Sequence, residues 1–288
     1  MVILLKCLSL DYVKNFLPVR KKSSHKGNYG KVLIIGSSHR YIGAGCICAN
    51  ACMRAGSGLV TLAVENKIFP IVAQKMSEVM VLDIDSYKSD FANLVKTCDV
   101  VAIGPGLGIR DFSKETLSYV LDNSTSPVII DADGLNVLSQ NMNFLKMRKN
   151  LSTIVLTPHL GEFARLCNCK IEDVIKNRDV LAVEFAKKYD NIILVLKSDT
   201  TLITDGKESF ICDVGVPQMA TGGMGDALCG MITSFTGQNI PVFNSCLLGV
   251  FTHSYIAREL SKDMNSVLAQ DIIENIPYTL ANFSKIKD

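Results

Sequence analysis

Val100-Val101-Ala102-Ile103-Gly104-Pro105-Gly106-Leu107-Gly108 is the stretch from which the architecture of this chain is read. An apolar run without polar alternation marks a strand buried on both faces, because a strand with one wet face alternates. The run stops at a glycine–proline turn, and Phe112–Leu121 then follows with helical spacing. Strand, glycine loop and helix together form one unit of a layered α/β protein, and the unit recurs on either side. Lys31–Ile35, Leu59–Val64, Val128–Asp131, Thr153–Thr157 and Ile192–Leu196 read as further buried strands, with Ala44–Ala55 and Val180–Tyr189 among the intervening helices. Such alternation predicts a mostly parallel sheet with helices on both faces. Thr200–Thr204 and Glu208–Ile211, joined by Asp205-Gly206, predict a hairpin at the sheet edge. From Gly225 to the end the pattern is helical. Neither a low-complexity linker nor an internal repeat interrupts the chain, so one domain over 1–288 is expected, with 1–24 as an N-terminal arm.

In open parallel sheets ligands bind beyond the carboxyl ends of the strands, and the unusual loops of this chain fall there. Ile103 is followed by Gly104–Gly108, Ile130 by Asp131-Ala132-Asp133-Gly134, Leu156 by Thr157-Pro158-His159-Leu160-Gly161-Glu162, and Leu196 by Lys197-Ser198-Asp199. Successive strands ending in such loops describe one cleft edge. A further loop, Met219-Ala220-Thr221-Gly222-Gly223-Met224-Gly225-Asp226-Ala227, leads into the helical spacing of Leu228, Met231, Ile232 and Phe235. Glycines allow consecutive amides to converge, and a helix starting there adds unpaired N–H donors and its positive dipole end, which together suit an anion. A carboxylate beside a phosphate cradle suggests a base that takes a proton from a hydroxyl attacking that phosphate. A helix cap behind a glycine turn is the plain alternative.

Composition narrows the field. The 288 residues are 48% hydrophobic, enough for a large core. The balance of 30 basic and 28 acidic residues provides no field for nucleic acid, and the basic stretch Arg20–Lys26 reads as a solvated face. Ten cysteines lack zinc-finger pairing and only four histidines are present, so reduced, buried thiols in a reducing compartment are expected. Met1–Leu10 is apolar yet short, with Lys6 inside it and Asp11 directly after, which argues against a signal peptide. No run reaches membrane-spanning length. A soluble, cytoplasmic protein is the expectation. Gly43-Ala44-Gly45, with Glu65 about twenty residues on, imitates a dinucleotide-binding fingerprint. The gap from Ile35 to Gly43 and Cys48 at the third glycine position argue against it.

Taken in order, these loops resemble the ADP- or ATP-dependent NAD(P)H-hydrate dehydratase family, whose ribokinase-like fold has three α/β/α layers around a mostly parallel central sheet. The resemblance is carried by His25-Lys26-Gly27-Asn28-Tyr29-Gly30-Lys31, Gly43-Ala44-Gly45, Arg54-Ala55-Gly56-Ser57-Gly58-Leu59-Val60, Gly104–Gly108, Asp131–Leu135, Thr157–Glu162, Lys197 and Met219–Asp226. It runs from about His25 to the last helix. The family's dehydratase is often fused to an epimerase domain, for which 1–24 leaves no room.

The resemblance implies a repair lyase. Hydrated NADH or NADPH is phosphorylated on its ring hydroxyl by ADP or ATP, phosphate leaves, and NAD(P)H returns. Asp226 would be the catalytic base, with Gly222, Gly223, Met224 and Gly225 forming the anion hole. Lys197, Ser198, Asp199, Thr200 and Thr201 would follow the nucleotide, while Ala44, Gly106, Gly108, His159 and Asp226 would meet the hydrated dinucleotide. Asp131, Asp133, Asn136 and Glu162 are secondary candidates. Mg²⁺ would be bridged by the phosphates with no protein ligand assigned, since no lysine-bearing P-loop occurs. The family also implies a homotetramer, without nucleic-acid or membrane partners; the N-terminal arm and the run Cys246–Phe251 are candidates for subunit packing.

Plainer readings stand beside these. Gly104–Gly108 also reads as a strand-terminating turn, His159 as a helix cap, Glu162 as a first-turn acid and Lys197 as a snorkelling cation. Asp131 and Asp133 either hold Mg²⁺ through water or fix their loop. The chain departs from the family at Gly215-Val216-Pro217-Gln218, where an Asn followed by Pro-Gly is usual. It also departs at Met224 in place of a small Ser or Thr, and at Ser198 in place of Gly. Two rival functions share the same motifs: a ribokinase-like kinase of a vitamin precursor, and a nucleotide-binding protein without catalysis.

Overall fold

The computed structural model describes residues 4–148, 150 and 152–285. One sheet runs through them. Its strands are β1 (Lys6–Cys7), β2 (Lys31–Ile35), β3 (Leu59–Val64), β4 (Met80–Asp83), β5 (Val100–Ile103), β6 (Val128–Ile130), β7 (Ile154–Leu156), β8 (Ile192–Leu196), β9 (Thr201–Thr204) and β10 (Ser209–Cys212). Their spatial order is β1-β10-β9-β8-β7-β6-β5-β2-β3-β4. From β8 to β4 every pairing is parallel, while β9 pairs antiparallel with both β8 and β10.

The continuous apolar runs are explained by burial on both sides. Along β2, Val32 and Ile34 enter one core and Leu33 and Ile35 the other. The first core is closed by helices Ile42–Arg54, Met224–Gly237, Val242–Leu260 and Ala269–Lys285; the second by helices including Asp111–Asn123, Leu160–Cys167 and Ile171–Lys188. This is the three-layer α/β/α arrangement that the sequence predicts.

Strand order reverses between β2 and β5: β3 and β4 are added on one side of β2, and β5 to β8 on the other. The loops leaving β2 and β5 therefore diverge and open a crevice, the general ligand position in such sheets. There Ser37 N–H donates to Pro105 O at 2.7 Å, and Ser37 Oγ accepts from Gly45 N–H while donating to Ile42 O. Ser37 thus ties the start of helix Ile42–Arg54 to the β5 loop.

Several expectations are corrected. The β9–β10 hairpin is not outermost, because Lys6 and Cys7 pair with Phe210 and Ile211 and the arm supplies the edge. Leu8, Val13 and Leu17 then bury against the first core. Cys246–Phe251 is buried inside the chain's own core, so it is not a free surface for a second subunit. Strand β4 at the other edge went unread. The cysteines are all unpaired, and Cys46, Cys48, Cys52, Cys98, Cys212, Cys229 and Cys246 are buried, but Cys7 is exposed and Cys167 and Cys169 are half-buried. Arg20–Lys26 is exposed, as a solvated face requires. Among the described residues no helix is long and apolar enough to cross a membrane.

Candidate active site

Three adjacent strand tips bring charge together. The parallel register of β6, β7 and β8 aligns Ile130, Leu156 and Leu194, so the residues that follow come within reach of one another. Lys197 N–H donates to Pro158 O at 2.8 Å, extending the ladder past the strand ends. Lys197 Nζ then lies 2.8 Å from Asp131 Oδ1, and Thr157 Oγ1 donates to the same oxygen at 2.7 Å. The Asp131 side chain is 1% exposed and that of Lys197 is 21% exposed. Burial disfavours charge on Lys197, but Asp131 and Glu162 outweigh it and hold the ammonium above its usual range.

Facing this pair is the first turn of helix Met224–Gly237. Gly223 caps it at φ +90°, a conformation that L side chains rarely adopt, and no side chain caps the helix. The leading amides therefore lack intrahelical partners and point out of the turn. A Cβ built on Gly225 would lie 3.1 Å from Lys197 Nζ, so the cation sits against this glycine turn. Asp226 belongs to the same turn. Burial first, then the neighbouring Asp131 and Asp133, push its carboxyl up to about 7, with Lys197 opposing. The helix dipole also favours the charged form, yet the rise prevails. A carboxyl titrating near neutrality is suited to accept a proton at physiological pH.

Glu162 is a second displaced acid. Burial pushes it up to about 7, with Lys197 opposing and Asp131 reinforcing. Its Oε2 accepts from His159 N–H at 2.8 Å, while His159 Nδ1 accepts from Gly161 N–H and Glu162 N–H. His159 and Glu162 thus form a reciprocal capping box on helix Leu160–Cys167. The cap and the site are the same residues: His159 also lines the main cleft.

That cleft, of about 710 Å³, runs from the strand tips along helix Met224–Gly237. His159, Lys197, Ser198, Asp199, Thr201, Met224 and Gly225 are on its walls, and Thr200 is not. Thr200 acts through its carbonyl, which accepts from Ser198 Oγ at 2.7 Å and from Arg178 Nη1 at 3.0 Å. On the far side of Asp131, the β5 loop packs against helix Ile42–Arg54. Gly106 has φ +62°, and a Cβ there would press on Tyr41 O and Ala44 Cβ, so only glycine fits beside Ala44.

A profile of the NAD(P)H-hydrate dehydratase family matches residues 32–278. The chain belongs to that family. The ADP-dependent (S)-NAD(P)H-hydrate dehydratase of Staphylococcus aureus is 36% identical over 266 residues, covering 92% of this chain and 93% of that one. A ribokinase-like superfamily protein of Enterococcus faecalis superposes with a TM-score of 0.87 at 30% identity, over 98% of this chain and 97% of its own. The ADP/ATP-dependent NAD(P)H-hydrate dehydratase of Bacillus subtilis, co-crystallised with ATP/Mg²⁺, gives a TM-score of 0.87 at 26% identity over 98% and 100%.

In this member of the dehydratase family the candidates do not all converge. Asp226, Gly225, Lys197, Asp131 and Glu162 form one electrostatic group. Asp133 Oδ2 accepts from Gly108 N–H at 2.8 Å, fixing the β5 loop, and Asn136 stands behind it, bonded to Asp133 and Arg165. Gly222 faces open space. Ala132 holds φ +49° and ψ −119°, a strained backbone for alanine, placed between the two aspartates. Arg178 and His253 went unread; each sits in a helix whose spacing signals only packing.

No group of three or more acids, histidines or cysteines able to hold a metal occurs among the described residues. Asp131 Oδ1 is engaged by Lys197 and Thr157, Asp133 by Gly108 and Asn136, and Glu162 Oε2 by His159. A hard cation in this site would come with its ligand's phosphates, and the carboxylates beside it would be Asp131 and Asp226.

Proposed function

We propose that this chain is the nucleotide-dependent dehydratase of hydrated NADH and NADPH, using ADP or ATP with Mg²⁺. One observation carries the reading: a carboxyl poised near neutrality lies in the same helical turn as the helix's leading amides and beside a half-buried lysine. The chemistry follows from leaving groups. Hydroxide leaves poorly at neutral pH, whereas phosphate leaves readily. Asp226 takes the proton of the ring hydroxyl as its oxygen attacks the terminal phosphorus. The amides from Gly223 to Asp226 and the Lys197 ammonium hold the charge spreading over the transferred group. Mg²⁺ carried by the nucleotide supplies further neutralisation of the phosphates. Phosphate then departs from the ring carbon with its bonding electrons, the neighbouring ring carbon gives up a proton to water, and that C–H electron pair becomes the restored double bond. Ala44 and Gly106, packed together at the crevice between β2 and β5, would meet the dinucleotide. Ser198, Asp199 and Thr201 line the cleft and would follow the nucleotide, with Thr200 behind them.

The test is incubation with hydrated NADH, Mg²⁺ and ADP or ATP. Recovery of reduced-nicotinamide absorbance is expected, and Asp226→Ala should lower the rate by a hundred- to ten-thousandfold, roughly the range for an acid/base group, while nucleotide still binds. No recovery with wild-type protein overturns the reading. A phosphorylated product without elimination favours the vitamin-precursor kinase, and binding without chemistry in both proteins favours a nucleotide sensor. The family resemblance also supports a cytoplasmic homotetramer, whose mass light scattering measures.

A further inference from the structure

The walls of the main cleft are apolar beyond the phosphate turn: Cys212, Val216, Met224, Leu228 and Val250 line it. Helix Val242–Leu260 adds two polar residues there, Ser254 and, beside it, His253. His253 is 5% exposed, and its Nε2 is buried without a hydrogen-bond partner. The Met224 backbone carbonyl lies near the ring and favours a proton on the nitrogen facing it, and since Nε2 has no partner that nitrogen is Nδ1. Burial, with the Lys197 charge nearby, brings the ring down to about 4, so it is neutral at physiological pH. In that tautomer Nε2 offers a lone pair and no proton. A buried acceptor left without a partner is costly unless a ligand supplies the donor.

We propose that His253 Nε2 is the specificity determinant for the nucleotide base, accepting a hydrogen bond from the exocyclic amino group of adenine. The inference rests on the cleft being the nucleotide site, as proposed above. A flat base matches the apolar walls, whereas a ribose would place hydroxyls against them. A purine with an oxygen at the same position would set two lone pairs against each other and be rejected. The tether to Met224 matters as well: the residue that begins the anion-binding helix fixes the ring, so base and phosphate are measured from one point.

The experiment compares two nucleotides by calorimetry without dinucleotide, on wild-type protein and on His253→Phe, which keeps a ring and removes the acceptor. The nucleotides are ADP and the diphosphate of purine riboside, which lacks only the 6-amino group. Wild-type protein should bind ADP about tenfold more tightly, the worth of one well-made buried hydrogen bond, and His253→Phe should bind both equally. Equal binding of the two by wild-type protein, or the same preference in the variant, overturns the proposal. Absence of binding of either nucleotide to wild-type protein overturns the cleft assignment itself. If His253→Phe does not fold, the ¹⁵N resonance of His253 Nε2 in wild-type protein decides. It should move on adding ADP and not on adding the analogue; equal movement refutes the amino contact.

Discussion

Asp226 lies under opposing influences: the helix N-terminus and Lys197 favour its charge, while burial, Asp131 and Asp133 disfavour it and leave it titrating near 7. An unfolded aspartate titrates near 3.9. Between about pH 4 and 7 the folded chain therefore binds a proton that the unfolded chain has released, and stability declines as pH rises through that window. Glu162, also displaced to about 7, adds to the same slope. Asp226→Asn should accordingly gain about 1 kcal/mol at pH 8 and nothing near pH 4, in urea titrations at both values, while abolishing turnover. The wild-type kcat/KM should climb with pH through about 7 as the base ionises. A flat profile would detach the carboxyl from the chemistry. Lys197 presents the converse case. Lys197→Met leaves the buried Asp131 carboxylate with Thr157 as its remaining partner, and a loss of about 3 kcal/mol is expected in the same titration. A loss under 1 kcal/mol would mean that the Lys197–Asp131 pair contributes little to stability.

At the scale of elements, helix Leu160–Cys167 shows how one residue serves stability and site together. His159 satisfies two leading amides of the helix and faces the cleft. His159→Ala should cost about 1 kcal/mol, whereas His159→Asn restores a side-chain acceptor and should recover most of it; thermal melts of both variants measure this. If the alanine variant melts with wild type, the capping box contributes nothing. The edge strands carry another lesson. β1 and β4 are short and partly exposed, so neither presents the unbroken apolar run that reveals β2, β5 or β8. A sheet edge needs half the hydrophobic signal of its centre.

Across the whole molecule, the ten-stranded sheet puts the crevice at its reversal, and Asp226 lies in the helical turn whose Met224 and Gly225 line the cleft. Binding at such a place stabilises the folded state alone. ADP at about a hundred times its dissociation constant should add about 2.7 kcal/mol, seen as a higher melting temperature. Asp226→Ala should keep that gain, because the amides and Lys197 hold the phosphates without it. Loss of the gain in the variant would make Asp226 a binding group rather than a base.

Sequence by itself determined the layers, the central strands and the glycine loops, because doubly buried strands and positive-φ turns each demand particular residues locally. It also placed Asp226 at a helix start. Tertiary structure alone decided which loop residues meet. Asp131 and Lys197 are 66 positions apart, and only the β6-β7-β8 register brings their side chains together. The role of His253 was equally hidden, for on an apolar helix a histidine gives no local sign of whether its second nitrogen is matched. Local preferences act through neighbouring dihedrals and spacing, whereas pairing of buried polar atoms is settled by packing between distant segments.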